Sequence, residues 1–231
     1  SLHPLLFAEK MQLLGVETPL AHEGSLLWLI QHQSWLDFVA FGSIWDQIGK
    51  PSFRAVSRSN YFPESPQLSK AVSTLMQSSG LFFEIVRDQE KEDLPLAERK
   101  AHNREQMEKV SQTLQKGIHV ALLPEGTSKG TGKISPLKSG CYYASHLRDG
   151  EHIVSFPCVA VGNTYDFLSG ENGKALVFAH IGKTFQYRAC KGFEGESPEA
   201  YRLRDKQAFL SDVRQQFIDL HTFTLGQLAG R

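Results

Sequence analysis

His32 stands five positions before Asp37 in the stretch Gln31-His32-Gln33-Ser34-Trp35-Leu36-Asp37, and the two side chains together have a definite chemical use. An imidazole is weakly basic near neutral pH. It can take a proton from an alcohol that is becoming a nucleophile, provided something fixes its tautomer and stabilises the cation it turns into. A carboxylate in the first turn of a following helix can be carried back to the ring and do both. The plainer reading stands beside this one: Asp37 as a helix cap and nothing more, His32 as a surface or core residue.

Such a pair needs a place where a sheet gives way to a helix. The apolar run Leu26-Leu27-Trp28-Leu29-Ile30 ends abruptly at Gln31, and an amphipathic run follows from Trp35 to Ile48. That order predicts a buried strand, a tight polar crossing and a helix. Ser34 is the expected cap, with Asp37 as the capping-box acid; Trp28 and Trp35 are expected core aromatics.

Further strands are predicted over 52–57, 81–86, 119–123, 153–161 and 175–181, and helices over 67–77, 95–116, 138–147 and 202–220. Gly117 supplies a helix stop and Pro124 cuts off a strand. The charged run 88–93 is expected to be a solvated loop. After Pro4, the apolar residues between 5 and 14 predict a short helix, so that segment 1–15 either packs on the main body or lies on a bilayer as an interfacial helix. The alternation of strand and helix predicts one α/β domain over 1–231. Its central sheet is expected to be mostly parallel or mixed and covered by helices.

Composition narrows the function classes. With 25 basic and 25 acidic residues among 231 the formal charge is zero, so nothing global argues for nucleic acid. The 3 cysteines are scattered, without a CxxC pair, and the 9 histidines include no HExxH; no metal or bound cofactor is expected. No apolar run reaches the roughly 18 residues of a membrane-spanning helix. The chain begins at Ser1, which leaves room for an anchor upstream.

A second stretch, from Glu125 to Pro136, is rich in Gly, Ser, Thr and Lys and follows a short apolar strand, where an α/β sheet presents its loops. Lys129, Lys133 and Lys138 follow Glu125 with no acid between them; the bland alternative is a flexible basic surface loop. Gly126 to Lys133 superficially looks like a phosphate-binding loop, but Thr127 occupies the first required glycine position and Ile134 the Ser/Thr position. An ATPase reading fails there.

Read together, His32-Gln-Ser-Trp-Leu-Asp37 and Pro124-Glu125-Gly126-Thr127-Ser128 resemble the first and third signature blocks of the glycerolipid acyltransferases. The likeness runs roughly from 26 to 162. Residues 80–87 resemble the second block and 154–159 the fourth, with Pro157 shaping a pocket wall. By this resemblance His32 and Asp37 are the catalytic pair. Arg87, Glu125, Gly126, Thr127, Ser128 and Lys129 bind the acceptor or its phosphate, with Glu125 taking an acceptor hydroxyl or anchoring its loop. Lys133 and Lys138 are candidate contacts for an anionic donor. The second block carries one residue more than the usual spacing, and the third continues with Ser128-Lys129 where the family often has arginine, which leaves the acceptor headgroup open.

The resemblance implies transfer of a fatty acyl group from acyl-coenzyme A or an acyl-carrier-protein thioester to the hydroxyl of a lyso-phospholipid, first of all 1-acyl-glycerol-3-phosphate. Direct attack in a ternary complex is favoured. An apolar acyl groove is expected, with Trp35, Phe38, Phe41, Phe83 and Pro157 as candidate walls. The lipid substrates imply work at the cytoplasmic side of a membrane, peripherally or with a further anchor. The alternatives are a different lyso-lipid or a small hydroxyl or amine acceptor, a lipid-binding protein without turnover, and a thioesterase.

Overall fold

A computed structural model describes residues 8–17, 22–34, 37–49, 53–58, 67, 74, 82–86, 95–127, 133–149, 152–166 and 175–229. Leu27–Ile30 forms strand β2, a four-residue run buried at every position. A strand apolar throughout must be covered on both faces, and this one sits in the middle of a 7-stranded sheet. The sheet also contains β1 (Ala8–Leu14), β3 (Phe53–Arg58), β4 (Phe82–Ile85), β5 (His119–Leu122), β8 (Pro157–Asp166) and β9 (Ala175–Gln186), in the order β1-β9-β8-β2-β5-β3-β4. From β8 to β4 all neighbours are parallel. β9 runs antiparallel to β8 and carries β1 parallel on its outer edge. The central sheet is therefore mixed.

Strand alternation sorts the core into two layers. Leu26, Trp28 and Ile30 point to one side, with Val159, Val161, Ala179 and Ile181, and meet Phe41, Trp45 and Ile48 of helix α1 (Asp37–Ile48). Trp28 lies edge-on to Phe41 and Trp45, with ring centroids 5.4 and 5.5 Å away. Leu27 and Leu29 point the other way, with Val120, Leu122, Cys158 and Ala160. There they pack on helix α2 (Leu96–Gln115), the short helix α3 (Gly140–Ala144) and the long helix α4 (Pro198–Ala229). Helix α2 ends in a Schellman turn: Gly117, at φ 81°, donates to Leu114 O at 2.9 Å and Ile118 to Thr113 O at 3.2 Å.

Three expectations are corrected. The helix expected between 5 and 14 is, over its described part, strand β1, whose backbone is held by β9 through six Cα pairs from Ala8↔Ala175 to Leu14↔His180. An apolar segment this short satisfies either period, and an available sheet edge decides it. The helix expected over 138–147 stops at Ala144. His146–Asp149 is strand β6, paired antiparallel with β7 (His152–Ser155) as a separate hairpin. The single strand expected over 153–161 is two, divided at Phe156, whose amide goes to Ser145 O at 2.9 Å and not into a ladder. The expected helix over 67–77 and loop over 88–93 fall outside the described residues, apart from positions 67 and 74.

Candidate active site

Three neighbouring parallel strands, β8, β2 and β5, end on the same edge of the sheet, so the residues that follow them in sequence are brought together. At the end of β2 the amide of Gln31 still pairs with Val161 O of β8 at 2.9 Å. One residue later His32 leaves the ladder, and its amide donates to Glu125 Oε1 at 2.9 Å, just past the end of β5. The carboxylate thus takes over as ladder partner where the strands part.

Asp37 folds back from the first turn of α1. Its Oδ2 lies 3.0 Å from His32 Nδ1 and accepts the Ser34 amide at 2.8 Å, which is the acid half of a capping box. The cap and the ring contact are one structure. A carboxylate at Nδ1 fixes the tautomer that carries its proton there and leaves Nε2 as the basic nitrogen. Asp37 is 0% exposed and the His32 side chain 18% exposed, so the acid is sealed while the ring reaches solvent.

The other oxygen of Asp37 is also occupied. Asn163 Nδ2 donates to Oδ1 at 3.2 Å, and the Tyr165 hydroxyl makes a short hydrogen bond to the same atom. Sequence reasoning missed both residues. The signal was present, because Val159, Val161, Asn163 and Tyr165 alternate along β8 onto the face that α1 covers, and an amide and a phenol continuing an apolar row ask for a partner. Burial raises the Tyr165 phenol pKa far above its ordinary value, and the Asp37 charge and hydrogen bond push the same way; the phenol stays protonated and serves as a donor.

Glu125 holds two segments. Besides the His32 amide, its Oε2 accepts the Ser135 amide at 2.7 Å, so both oxygens are engaged by backbone and the arrangement is that of a loop anchor. Burial raises its pKa above the usual carboxylate value, opposed by the bonds from Ser135 and His32. Gly126 turns at φ 67°, a conformation that disfavours other residues. A Cβ there would sit 3.4 Å from Lys138 Cγ, which places the stem of Lys138 against the turn; its backbone amide donates to Pro124 O at 2.7 Å. Lys133 and Lys138 are exposed, and Thr127 is partly buried. A cation that the sequence did not single out joins them: Arg214 of α4 reaches Ile134 O and Ser135 O at 3.3 and 3.4 Å.

The remaining candidates are placed elsewhere. Phe41 is 0% exposed within the Trp28 cluster, and Phe83 is buried in the opposite layer with Arg54 over its ring at 5.8 Å. Both rings are filled positions in the core, not free walls. Pro157 opens β8 at the end of the strand remote from His32, beside Gln186. Trp35, Arg87, Ser128 and Lys129, and the side chain of Phe38, lie outside the described residues. Among the described residues no group of three His, Cys, Asp or Glu side chains fits a metal ion, and no helix is long and apolar enough to cross a membrane.

A histidine ring 3.0 Å from a buried carboxylate, at the edge where parallel strands end, is an arrangement that can activate a hydroxyl for group transfer. The family model described as Acyltransferase matches residues 15–160, a span holding His32, Asp37, Glu125 and Gly126, and the chain belongs to that family. Its reaction is acyl transfer. No curated protein matches the chain closely enough to narrow this further.

Proposed function

We propose that the protein is an O-acyltransferase that moves a fatty acyl group from an acyl-coenzyme A or acyl-carrier-protein thioester to the hydroxyl of a lyso-phospholipid, with 1-acyl-glycerol-3-phosphate as the first acceptor to try. The observation that carries the reading is the 3.0 Å contact of His32 Nδ1 with a carboxylate wholly removed from solvent. Nε2 of His32 takes the acceptor's hydroxyl proton as the oxygen attacks the thioester carbonyl. Asp37 faces the imidazolium while charge builds on the carbonyl oxygen. Collapse of the tetrahedral intermediate breaks the carbon–sulfur bond, and the departing thiolate recovers the proton from His32. Such help is worth about 100- to 10,000-fold in rate. Lys133, Lys138 and Arg214 lie on or beside the loop after Glu125 and favour a phosphate-bearing substrate there.

The test is thiol release and product mass from palmitoyl-coenzyme A with a panel of lyso-lipids and small alcohols and amines. His32→Ala is expected to lower acceptor-dependent turnover at least about 100-fold with an unchanged circular-dichroism spectrum; parental rates would remove the base. Preference for an acceptor without phosphate would replace the lyso-phospholipid assignment by the small-acceptor reading. Thiol release indifferent to every acceptor would make the activity hydrolysis.

A further inference from the structure

We propose that Tyr165 is a positioning residue of this site, acting on His32 through Asp37 by holding the carboxylate's second oxygen. The inference rests on His32 being the base. It starts from the number of donors that meet one buried carboxylate. Oδ2 takes the ring of His32 and the amide of Ser34; Oδ1 takes Asn163 and Tyr165. A cap of α1 needs only the Ser34 bond. Two more donors, from a strand 126 and 128 residues further along the chain, do nothing for capping, but they stop the carboxylate from turning about its own bond and so fix the orientation of the imidazole.

The hydroxyl's place is set independently of Asp37. The Tyr165 ring packs against Ala40 of α1 and Val177 of β9, so the phenol oxygen stands where packing puts it. The Asn163 amide is oriented by the same carboxylate, since turning it over would set Oδ1 against Asp37 Oδ1. Hydrogen bonds to Oδ1 spread the negative charge of Asp37 away from the ring. Fewer donors there leave more charge facing His32 and make the imidazolium easier to form; stronger donors do the reverse. Among the described residues, the titratable groups that face His32 are Asp37 from α1, Glu125 from the turn after β5, which holds its backbone amide, and, across Asp37, Tyr165 from β8.

The experiment is an NMR titration of the His32 ring in the full chain, its resonance assigned by loss in His32→Ala, in the parent, in Tyr165→Phe and with 3-fluorotyrosine at position 165. In Tyr165→Phe the midpoint is expected to rise by about half a pH unit, a threefold change in the proton constant. The fluorinated phenol, a stronger donor of the same size, is expected to lower it. Asp205→Asn, which weakens the opposite layer and touches neither Tyr165 nor Asp37, should lower the melting temperature and leave the midpoint alone. In turnover, Tyr165→Phe should lose about tenfold in kcat with KM unchanged.

A midpoint that stays put in both Tyr165 variants, or moves equally in Asp205→Asn, overturns the proposal; should Tyr165→Phe not fold, the fluorotyrosine protein decides alone. The titration needs no substrate. An inactive His32→Ala with unmoved midpoints defeats the role of Tyr165 and leaves the base standing, whereas a fully active His32→Ala defeats both.

Discussion

Asp37 and Asp205 are 0% and 1% exposed, and each is met by a backbone amide and by tyrosine. Asp205, on α4, accepts the hydroxyls of Tyr142 at 2.7 Å and of Tyr187, the Cys190 amide at 2.8 Å and Arg148 Nη2 at 3.3 Å. Asp37 has Tyr165, Asn163, the Ser34 amide and His32. The partners differ where it counts. A guanidinium keeps its charge at any working pH, so the Asp205 group ties α3, α4, β6 and the segment after β9 together without moving a proton. An imidazole gives up its proton near neutrality. A buried carboxylate is therefore no sign of chemistry by itself; the proton affinity of its partner, and whether that partner reaches solvent, make the distinction.

The same amide substitution in the two places should separate the roles, and the largest effect is expected at the first. Asp37→Asn sets an amide nitrogen or a neutral oxygen against His32 Nδ1, which disturbs the tautomer or withdraws the charge that supports the cation. Acceptor-dependent turnover, followed by thiol release, should fall by about 100-fold or more. Equal turnover in the variant would erase the contrast.

Asp205→Asn should do the opposite. Loss of a charged acceptor shared by two phenols and an amide costs about 2–3 kcal/mol, a fall in melting temperature of roughly 4–12 °C for a chain this long, measurable by calorimetry. Arg148 is 36% exposed on its side chain and adds little to that sum. Turnover at low temperature should stay within about twofold of the parent, well below the factor general-base help supplies.

Acid sharpens the comparison further. Burial pushes the Asp205 carboxyl up, but the bonds from Tyr187, Cys190 and Tyr142 and the charge of Arg148 outweigh it and hold its pKa below the ordinary value. Its contribution is complete above the unfolded value near 4 and is lost as pH falls through the lower folded one. Asp205→Asn should flatten the loss of stability below about pH 4.

The smallest effect belongs to His146, which stacks on Tyr187 at 4.0 Å. Burial pushes its pKa down from 6.5 to about 4, helped by the Arg148 charge. Between those values the unfolded chain binds the extra proton, so stability drops as pH falls from 6.5 toward 4. His146→Phe should reduce that slope in a series of melting temperatures, and an unchanged slope would place the proton elsewhere.

How much of this was legible beforehand follows from the range of each interaction. The strand at 27–30, the helix at 37–48 and the Asp37 cap are written within a few positions of one another, and periodicity and capping rules read them. The strand at 8–14 and the hairpin at 146–155 were not legible, because their partners decide their form: β1 is held by β9 from the far end of the chain, and β6 by β7.

Local chemistry along the chain determined that an imidazole and an acid stand five positions apart where a strand meets a helix, and that a glycine turn rich in lysine follows a later strand. The tertiary structure alone decided that Glu125 closes the gap beneath His32 and that Asn163 and Tyr165 complete Asp37. Parallel neighbours in a sheet carry the ends of strands distant in sequence to one edge, and no local pattern encodes which strands become neighbours.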